Sequence, residues 1–355
     1  MINMEHMEDN TVHLETLPLP AVYIDSRRLV TAANQMAQDA LSPVPMGRDL
    51  AQFIRNPQVL DACEAVRNGG GAMTIKVCLT SRGNRTFEIR LSPFGKNQQT
   101  GDAGVIMVFF ETTAVVEAQK MRSTFVADAS HELRSPLTTL IGALETISGK
   151  AGNDAETRAR FVKLMQSEAD RMKNLIDDLL HLSRTEVQQH IVPTSIAQID
   201  RVIARASERM QDRARAKGCE IVINNTCPNT TTLGDEDQLY QVFQNLLDNA
   251  VKYGASDSPI TISITKPVAE ILGGPDGVQV SVCNQGPAIA PEHLPRLTDR
   301  FYRVDEARSR QAGGTGLGLA IVKHILNRHR ARLLIRSDQK DGTCFSVVFP
   351  TQAAK

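Results

Sequence analysis

From Leu17 to about Thr113 the apolar and polar positions form short strand patterns with one or two helices between them, and Thr74–Leu79 and Arg85–Leu91 alternate with a period of two. This pattern predicts an α+β domain over residues 17–113, preceded by a polar and flexible N-terminus at residues 1–16. A helix is expected from about Gln35, and Ser81–Asn84 is typical of a hairpin turn. The predicted strands are Ala21–Asp25, Leu29–Asn34, Thr74–Leu79, Arg85–Leu91 and Gly104–Phe110.

From about Thr113 the apolar residues recur every three or four positions, which indicates amphipathic helices. One stripe includes Leu133 and Leu137, which are expected to face inward, and a second stripe follows the polar loop Gly149–Asp154. Each helix of about 30 residues would extend about 45 Å. Because two isolated helices cannot bury so wide a stripe, residues 114–188 are expected to form an antiparallel hairpin. A second copy would complete a dimeric four-helix bundle, which predicts a homodimer.

Residues 189–355 alternate between helical and strand patterns, which predicts an α/β sandwich domain. Between the strand that ends near Asn284 and the last helix lie about 30 residues rich in charge, Pro and Gly, which is typical of a functional lid. Helices are predicted at 195–217, 235–252 and 315–329, and strands at 219–225, 260–266, 278–284, 331–337 and 343–349.

The balance of charge argues against nucleic acid as a partner, because 40 Lys and Arg residues offset 40 Asp and Glu residues. The six cysteines form no CxxC pair and are expected to be buried free thiols in a reducing compartment. No apolar run approaches the roughly 20 residues of a membrane-spanning helix. The chain is therefore expected to be cytoplasmic, and any association with the inner membrane would come from partners or from a missing upstream anchor.

The first candidate for chemistry is the segment Ser130–Leu137. The helical period places His131 off the apolar stripe, so its imidazole is expected to be exposed, and a neutral imidazole nitrogen is a competent nucleophile. Glu132 would orient or deprotonate the ring, and Pro136 would bend the helix. A surface His–Glu pair on a coiled coil explains the same residues. A zinc HExxH site is excluded because Ser135 stands where the second histidine would be.

The second candidate is the helix predicted at 235–252. Asn245, Asn249 and Lys252 are spaced i, i+4 and i+7 and share one face. Amide oxygens suit Mg²⁺, a lysine can meet a phosphate, and Tyr253 offers a ring for stacking. The opposite face is apolar, so the polar face is expected to border a cavity. The alternative is a plain surface helix, which would more often carry Glu and Lys than paired Asn.

Two glycine-containing segments follow. Val282–Ile289 is a strand that runs into a tight turn, in which Gly286 permits close backbone approach and Asn284 could pair with an adenine edge; a generic turn explains it as well. Gly313–Ile321 places glycines at the start of a helix, where backbone N–H groups favour phosphate, unless the glycines are only structural. This segment fits neither a dinucleotide-binding fingerprint nor a Walker A loop.

In this order and spacing, the segments resemble sensor histidine kinases of two-component systems. The similarity covers about residues 115–350, and residues 17–113 resemble a PAS domain by pattern and position. Within the family, Pro291–Asp305 and Lys323–His329 are most similar to the phosphate-regulon sensor kinases, which implies a role in phosphate-starvation signalling. The motifs that carry the resemblance are His131–Pro136, Asn245–Tyr253, Arg300–Arg303 and Gly313–Ala320.

The resemblance implies a fold and a reaction. Residues 114–188 would be a HisKA dimerisation and phosphotransfer domain, and residues 189–355 would be a catalytic HATPase_c domain of the GHKL or Bergerat type. ATP and Mg²⁺ are the implied cofactors. The protein would phosphorylate itself on His131 and pass the phosphoryl group to an Asp in the receiver domain of a response regulator.

The resemblance also implies roles for single residues. His131 would be the phosphoacceptor, Glu132 its assisting carboxylate, and Ser135 the residue that positions water for dephosphorylating the response regulator. Asn249 would be the Mg²⁺ ligand. The other implied ATP-binding residues are Asn245, Lys252, Tyr253, Asn284, Gly286, Phe301, Arg303, Gly314, Thr315, Gly316, Leu317 and Gly318.

Three positions depart from the family pattern. Asn284 stands where Asp is usual and Ala288 where Gly is usual; Asn can still accept from the adenine amino group but lacks charge, so weaker nucleotide binding or looser base selectivity is expected. Ser135 replaces the Thr or Asn of many relatives and keeps a hydroxyl. Two other functions remain compatible with the residues. One is an ATPase of the same nucleotide-binding fold, of the chaperone or mismatch-repair kind, and the other is a non-catalytic dimeric scaffold.

Overall fold

The computed structural model describes residues 14–41, 43–79, 84–96, 103–149, 153–188, 191–266, 277–305 and 313–350. The chain divides into two compact units, Met1–Val126 and Ala127–Lys355. Within the described ranges, no helix combines the length and the apolar character that a membrane span requires.

The described part of the first unit has an α+β fold. Its elements are β1 (Ala21–Ile24), β2 (Val30–Ala33), α1 (Gln35–Leu41), α2 (Leu50–Phe53), α3 (Pro57–Arg67), β3 (Met73–Leu79), β4 (Arg85–Lys96) and β5 (Ala103–Glu111). The strands form one antiparallel sheet in the order β2-β1-β5-β4-β3. Helix residues such as Phe53 and Val59 cover one face of this sheet and share a buried core with Phe109 of β5. All five predicted strands are present, and β4 is longer than expected because it pairs along the length of β5.

The chain just before β1 contacts Asn34, and only Leu14–Thr16 of the N-terminus that was expected to be flexible is described. Leu14 is buried, and the buried amide of Asn34 donates to the carbonyl oxygens of Leu14 at 3.2 Å and Leu19 at 2.8 Å. A buried amide needs such partners, so this backbone is held in place. Residues 1–13 and residues 81–83 of the predicted hairpin turn lie outside the described residues.

Two long helices follow, α4 (Thr113–Ser148) and α5 (Ala155–Gln188), of 36 and 34 residues. An ion pair of 3.2 Å joins Glu132 of α4 to Arg171 of α5. Glu132 lies as far before the end of α4 as Arg171 lies after the start of α5, so the two helices run antiparallel as the predicted hairpin does.

One apolar face of the hairpin is uncovered in the single chain. Leu137 was expected to face inward but is 47% exposed, and Leu144 is 53% exposed. Leu175 and Leu182 of α5 are buried instead. The difference arises because a two-helix hairpin has only one partner helix to cover each stripe.

An α/β sandwich makes up the rest of the second unit. Its elements are β6 (Ile196–Gln198), α6 (Ile199–Arg215), β7 (Ile221–Asn225), β8 (Thr231–Leu233), α7 (Glu236–Tyr253), β9 (Ile260–Thr265), β10 (Gly277–Asn284), α8 (Gly318–Arg328), β11 (Arg332–Asp338) and β12 (Gly342–Pro350). The main sheet has the order β11-β12-β10-β9-β7 and is antiparallel except between β7 and β9. Helices α6, α7 and α8 cover one face, so Val278, Val280 and Val282 of β10 are buried.

Two element boundaries differ from the sequence prediction. Strand β6 occupies the start of the helix predicted at 195–217, because Ala197 pairs with Thr232 of β8. Helix α8 begins at Gly318 instead of residue 315, because Gly316 has a φ of +75°, which lies outside the helical region.

The prediction that all six cysteines are free is wrong. Cys283 of β10 and Cys344 of β12 are directly opposed in the sheet register and form a disulfide across a sequence separation of 61 residues. Cys63, Cys219 and Cys227 are buried free thiols, as expected, whereas Cys78 is an exposed free thiol. The pairing depends on strand register, which cysteine spacing along the chain does not show.

Candidate functional site

Helix α7 forms one wall of a cleft of about 920 Å³ in the second unit. Asp235 caps the start of this helix by accepting from the backbone N–H groups of Asp237 and Gln238. The apolar side of the helix is buried against the sheet, which turns Asn245, Asn249 and Lys252 towards the cleft. Their shared face follows from the helical spacing.

The charged groups of α7 at the cleft are paired, whereas one buried amide donor is not. Lys252 Nζ lies 2.7 Å from Asp248 Oδ2 and donates to the Gly313 carbonyl oxygen at 3.4 Å. Asp248 also pairs with Arg213 at 2.7 Å. The buried Nδ2 of Asn245 has no hydrogen-bond partner among the described residues. A buried donor without a partner favours an acceptor supplied by a ligand.

The end of α7 is fixed by a lysine from another element. Lys217 Nζ donates to the carbonyl oxygens of Val251 at 2.7 Å, Lys252 at 3.0 Å and Gly254 at 2.8 Å. Three acceptors satisfy the three donors of the ammonium group. Lys217 therefore holds the last turn of α7, which carries Lys252 and Tyr253.

The first glycine segment meets the end of α7. Asn284 is only 5% exposed and lines the cleft, where its Nδ2 donates to the Gln285 carbonyl oxygen at 3.2 Å. A Cβ on Gly286 would lie 2.9 Å from the Tyr253 carbonyl oxygen, so glycine is needed for this close approach. Tyr253 lines the cleft, whereas Gly286 lies behind the lining.

The second glycine segment forms the turn before α8, and Gly314, Thr315, Gly316 and Gly318 line the cleft. A Cβ on Gly316 would lie 2.9 Å from the backbone of Phe301, whose N–H donates to the Gly316 carbonyl oxygen at 2.9 Å. The position that a Cβ on Gly318 would occupy is 3.4 Å from Asn245 Oδ1, so this glycine lets the turn approach α7. Leu317 is fully buried beneath the turn.

The segment before the turn carries the expected lid residues. Arg303 lines the cleft, and its buried Nε has no hydrogen-bond partner among the described residues. Tyr302 also lines the cleft and its hydroxyl lies 2.6 Å from His293 Nδ1. Phe301, the expected lid aromatic, is not part of the lining. Residues 306–312 of the expected lid lie outside the described residues, and Leu294–Arg296 form a short 3₁₀ helix within it.

The turn of α4 that carries His131 contacts Arg303, a residue of the cleft lining. His131 is exposed, as the helical period predicted, and Ser135 is exposed one turn later. Glu132 Oε2 lies 2.8 Å from Arg303 Nη2 and 3.2 Å from Arg171 Nη2. Pro136 is buried within α4, and its ring nitrogen cannot donate to the Glu132 carbonyl four residues earlier. Thus the residue beside His131 is tied to the cleft through Arg303.

Helix α5 forms the wall that sequence reasoning did not identify. Asp178 and His181 line the cleft, and Thr315 Oγ1 donates to Asp178 Oδ2 at 2.6 Å. Burial raises the pKa of the Asp178 carboxyl, opposed by the hydrogen bond from Thr315. Asp178 lies three residues after Leu175 and four before Leu182, on the buried stripe. A carboxylate on an apolar stripe is the signal that could have found it.

A second contact holds α5 against the sandwich. Arg300 is ion-paired with Glu186 of α5, and His324 Nε2 of α8 lies 3.8 Å from the same carboxylate. Burial, together with Arg300 and Lys323, lowers the pKa of His324 to about 4 despite the nearby Glu186. Because desolvation is the largest of these effects, the imidazole is neutral at pH 7 in this arrangement.

Two family models match the regions that contain these groups. Residues 121–188, which include His131, match the His Kinase A (phospho-acceptor) domain. Residues 234–353, which include α7 and both glycine segments, match the histidine kinase-, DNA gyrase B- and HSP90-like ATPase family. The chain belongs to the sensor histidine kinase family.

Individual sensor kinases are similar over most of this chain. The phosphate regulon sensor protein PhoR of Pseudomonas aeruginosa is 38% identical over 72% of this chain and 56% of its own length. WalK of Bacillus subtilis is 33% identical over 70% of this chain and 39% of its own length. SenX3 of Mycobacterium tuberculosis is 28% identical over 94% of this chain and 78% of its own length. The chain thus spans about half of PhoR and less of WalK.

A solved structure of a sensor kinase shares the fold. The crystal structure of histidine kinase ThkA in complex with response regulator protein TrrA has a TM-score of 0.53 and 21% identity, and the match covers 96% of this chain and 98% of that chain. The architecture of two HisKA helices followed by an α/β ATPase domain therefore agrees with the expected fold class.

The hydrogen-bond donors that line the cleft fit a nucleoside triphosphate. Asn245 Nδ2 and Arg303 Nε are buried without partners among the described residues, and Lys252, which contacts the glycine turn at Gly313, adds a cation. Phosphate oxygens would satisfy such donors. The amide oxygen of Asn249 is a hard ligand of the kind Mg²⁺ prefers. The residues present are thus compatible with both ATP and Mg²⁺.

Proposed function

We propose that this protein transfers the γ-phosphoryl group of ATP to its own His131 and then to an Asp of a response regulator. One observation carries the proposal: Glu132, next to His131, is ion-paired with Arg303, which lines the same cleft as Asn249 and Lys252. The family matches support the two halves separately, since one covers the phosphoacceptor helix and the other the ATPase domain.

The reaction depends on positioning and on neutralising phosphate charge. Lys252 and Arg303 supply positive charge at the cleft, and the turn before α8 offers backbone N–H groups. Asn249, with Asn245 beside it, would hold Mg²⁺, which neutralises phosphate charge when bound. A neutral His131 nitrogen forms the new N–P bond as the bond from the γ-phosphorus to the leaving oxygen of ADP breaks. Glu132 orients the ring and accepts its proton.

The proposal is tested by incubating the full chain with Mg²⁺ and γ-³²P-labelled ATP. We expect label that is lost in acid and retained in alkali, absent from His131→Ala and present in His181→Ala, which changes a histidine of the cleft lining. Asn249→Ala should weaken Mg-ATP binding itself. Persistent labelling of His131→Ala at an imidazole would refute the phosphoacceptor. ATP hydrolysis without any phosphoprotein would favour an ATPase of the same fold.

A response regulator receiver domain is the proposed second substrate. ThkA was crystallised with its response regulator TrrA, and this chain shares that fold. Ser135 is exposed one helical turn after His131, where its hydroxyl can position water for hydrolysis of the receiver's aspartyl phosphate. Ser135→Ala should therefore keep autophosphorylation and reduce any dephosphorylation of the receiver. Profiling labelled protein against purified receiver domains would identify the partner.

Homodimerisation is proposed for the helical hairpin. Leu137, Leu144 and Leu180 are 47%, 53% and 52% exposed in the single chain, which leaves an apolar face. A second hairpin would cover it as a four-helix bundle. We assign the first unit as a PAS-like sensor or relay domain, supported by its five-stranded antiparallel sheet with helices between β2 and β3.

Phosphate-starvation signalling is the proposed physiological context. The support is the 38% identity to PhoR over 72% of this chain, together with the motifs at Pro291–Asp305 and Lys323–His329. Phosphotransfer to the receiver domain of a phosphate-regulon response regulator, faster than to other receivers of the same cell, would support this assignment. Transfer to that receiver at a rate equal to or below the rate for other receivers would refute the assignment to phosphate-starvation signalling.

A further inference from the structure

Asp178 of α5 holds the only hydroxyl of the glycine-rich turn that precedes α8. Thr315 Oγ1 donates to Asp178 Oδ2 at 2.6 Å, and Thr315 is only 8% exposed. Thr315 Oγ1 also accepts a hydrogen bond from the Leu317 backbone N–H at 3.3 Å. A hydroxyl has one proton to donate, so this proton is committed to Asp178.

The turn that Asp178 contacts is the place proposed for the nucleotide phosphates. Gly313 accepts from Lys252 at 3.4 Å, and the helix start at Gly318 concentrates backbone N–H groups. A phosphate that bound there would accept hydrogen bonds from Lys252, from these backbone N–H groups and from the Thr315 hydroxyl. Asp178 therefore occupies, as a carboxylate, a position suited to a phosphate oxygen.

The Asp178 carboxylate and a nucleotide phosphate are poorly suited to occupy the Thr315 turn together. Burial already disfavours the charged form of Asp178, whose pKa is raised, with partial compensation from Thr315 and Lys252. Lys252 is itself paired with Asp248 at 2.7 Å, so it is not reserved for Asp178. A phosphate would add negative charge next to this largely buried carboxylate, where the repulsion between like charges is screened less than in bulk water.

We propose that Asp178 competes with the nucleotide phosphates for the Thr315 turn, so that ATP binding and the contact of α5 with this turn oppose each other. The inference rests on the proposed function and adds a means of regulation at the same site. By thermodynamic linkage, whatever holds α5 against the cleft weakens ATP binding, and ATP loosens α5 by the same factor. A signal that moves α5 would in this way change nucleotide affinity.

The chain offers a matched control for the charge. Asp177 is adjacent, also borders the cleft and carries the same charge, but Asp178 is the residue that accepts the hydrogen bond from Thr315. Asp178→Asn and Asp177→Asn are therefore isosteric changes that each remove one negative charge. Only Asp178→Asn removes it from the proposed phosphate position.

Equilibrium binding of Mg-ATP and of adenosine to the full chain tests the inference. We expect Asp178→Asn to bind Mg-ATP about fivefold or more tightly than wild type, Asp177→Asn to stay within about twofold, and adenosine affinity to be unchanged in both. Equal or weaker ATP binding by Asp178→Asn would overturn the inference, as would the same gain in Asp177→Asn or for adenosine.

Hydrogen exchange of the wild-type chain provides a test that needs no variant. Mg-ATP, but not adenosine, should speed amide exchange in α5 around Leu175–Leu182, and unchanged or slower exchange would count against the inference. If neither wild type nor Asp178→Asn binds Mg-ATP, both the proposed function and this inference fail. If wild type binds Mg-ATP and Asp178→Asn binds it no better, only the inference fails.

Discussion

Glu132 Oε2 and Arg303 Nη2 lie 2.8 Å apart, which joins the residue after the phosphoacceptor candidate His131 to a residue that lines the cleft beside α7. The Arg303 side chain is 5% exposed and that of Glu132 22%, so the pair is largely shielded from water. Their separation along the chain is 171 residues, and only the docking of the two-helix hairpin on the sandwich brings them together.

Arg303→Ala should slow autophosphorylation by about tenfold to a hundredfold, since a hydrogen bond to a charged group contributes roughly 1.5–3 kcal/mol. Arg303→Lys should recover part of the loss, because it keeps the charge without the fork of donors. The measurement is the initial rate of His131 labelling. Arg296→Ala changes an arginine of the same segment outside the cleft lining and should have a small effect. A similar loss in both variants would mean that Arg303 acts only by folding the segment.

Gly316→Ala should destabilise the second unit by roughly 1–2 kcal/mol from its left-handed backbone alone, since Gly316 has a φ of +75°. The added Cβ would also lie 2.9 Å from the Phe301 backbone, so ATP binding should weaken as the turn shifts. Gly142 is the control, because nothing lies within 4 Å of a Cβ placed there within α4. Gly142→Ala should stabilise the helix by up to about 1 kcal/mol. Urea unfolding measures the stability of both variants, and nucleotide titration measures their ATP affinity. Unchanged stability and ATP affinity in Gly316→Ala would contradict the close packing of Gly316 against Phe301.

The second unit should lose stability as the pH falls from 6.5 towards about 4. Burial lowers the pKa of His324 to about 4 and also lowers that of His329. The unfolded chain therefore binds more protons than the folded chain in this window, and the free energy of unfolding decreases with acidification. His329 Nε2 accepts from the Asp235 N–H at 3.0 Å, a bond that protonation of this nitrogen would break.

Urea unfolding measured at several pH values checks this dependence. His324→Gln should flatten the slope between pH 6.5 and 4, since it removes one of the two titrating groups. Stability that is constant or rises on acidification in the variant and the wild type alike would show that neither imidazole is held neutral by the fold.

Reduction of the Cys283–Cys344 disulfide should lower the free energy of unfolding by about 2–4 kcal/mol, because the bond constrains a long loop of the unfolded chain. Cys344→Ser should unfold like the reduced protein, with or without a thiol reductant. Thermal unfolding with and without dithiothreitol makes the comparison. Mass spectrometry that finds six free thiols in unreduced protein would show that the bond does not form in solution.

Leu144→Glu should convert the protein to a monomer if the exposed face of the hairpin is a dimer interface. Leu144 is 53% exposed in the single chain. Ile196→Glu is the control, because Ile196 is 65% exposed on β6 outside the hairpin, and this variant should remain dimeric. Light scattering after size exclusion gives the masses. A monomeric wild-type protein would exclude the dimer. A Leu144→Glu variant that remains dimeric would place the interface on another surface.

The glycine and asparagine motifs were visible in the sequence because each is local. Asn245, Asn249 and Lys252 share a face by helical spacing, and Gly286 allows the close approach to Tyr253 that its sequence context suggested. The alternating patterns likewise predicted the main strands of both sheets. These features follow from periods of two and 3.6 residues, which the backbone imposes whatever the rest of the chain does.

The sequence by itself determined the family, the order of elements and the polar face of α7. The tertiary structure alone decided that α5 forms a wall of the cleft, that Asp178 meets Thr315, that Arg303 meets Glu132 and that Cys283 pairs with Cys344. These pairs lie 61 to 171 residues apart along the chain. Periodicity reports which face of an element is buried, but not which distant element buries it, because that choice depends on strand register and helix docking.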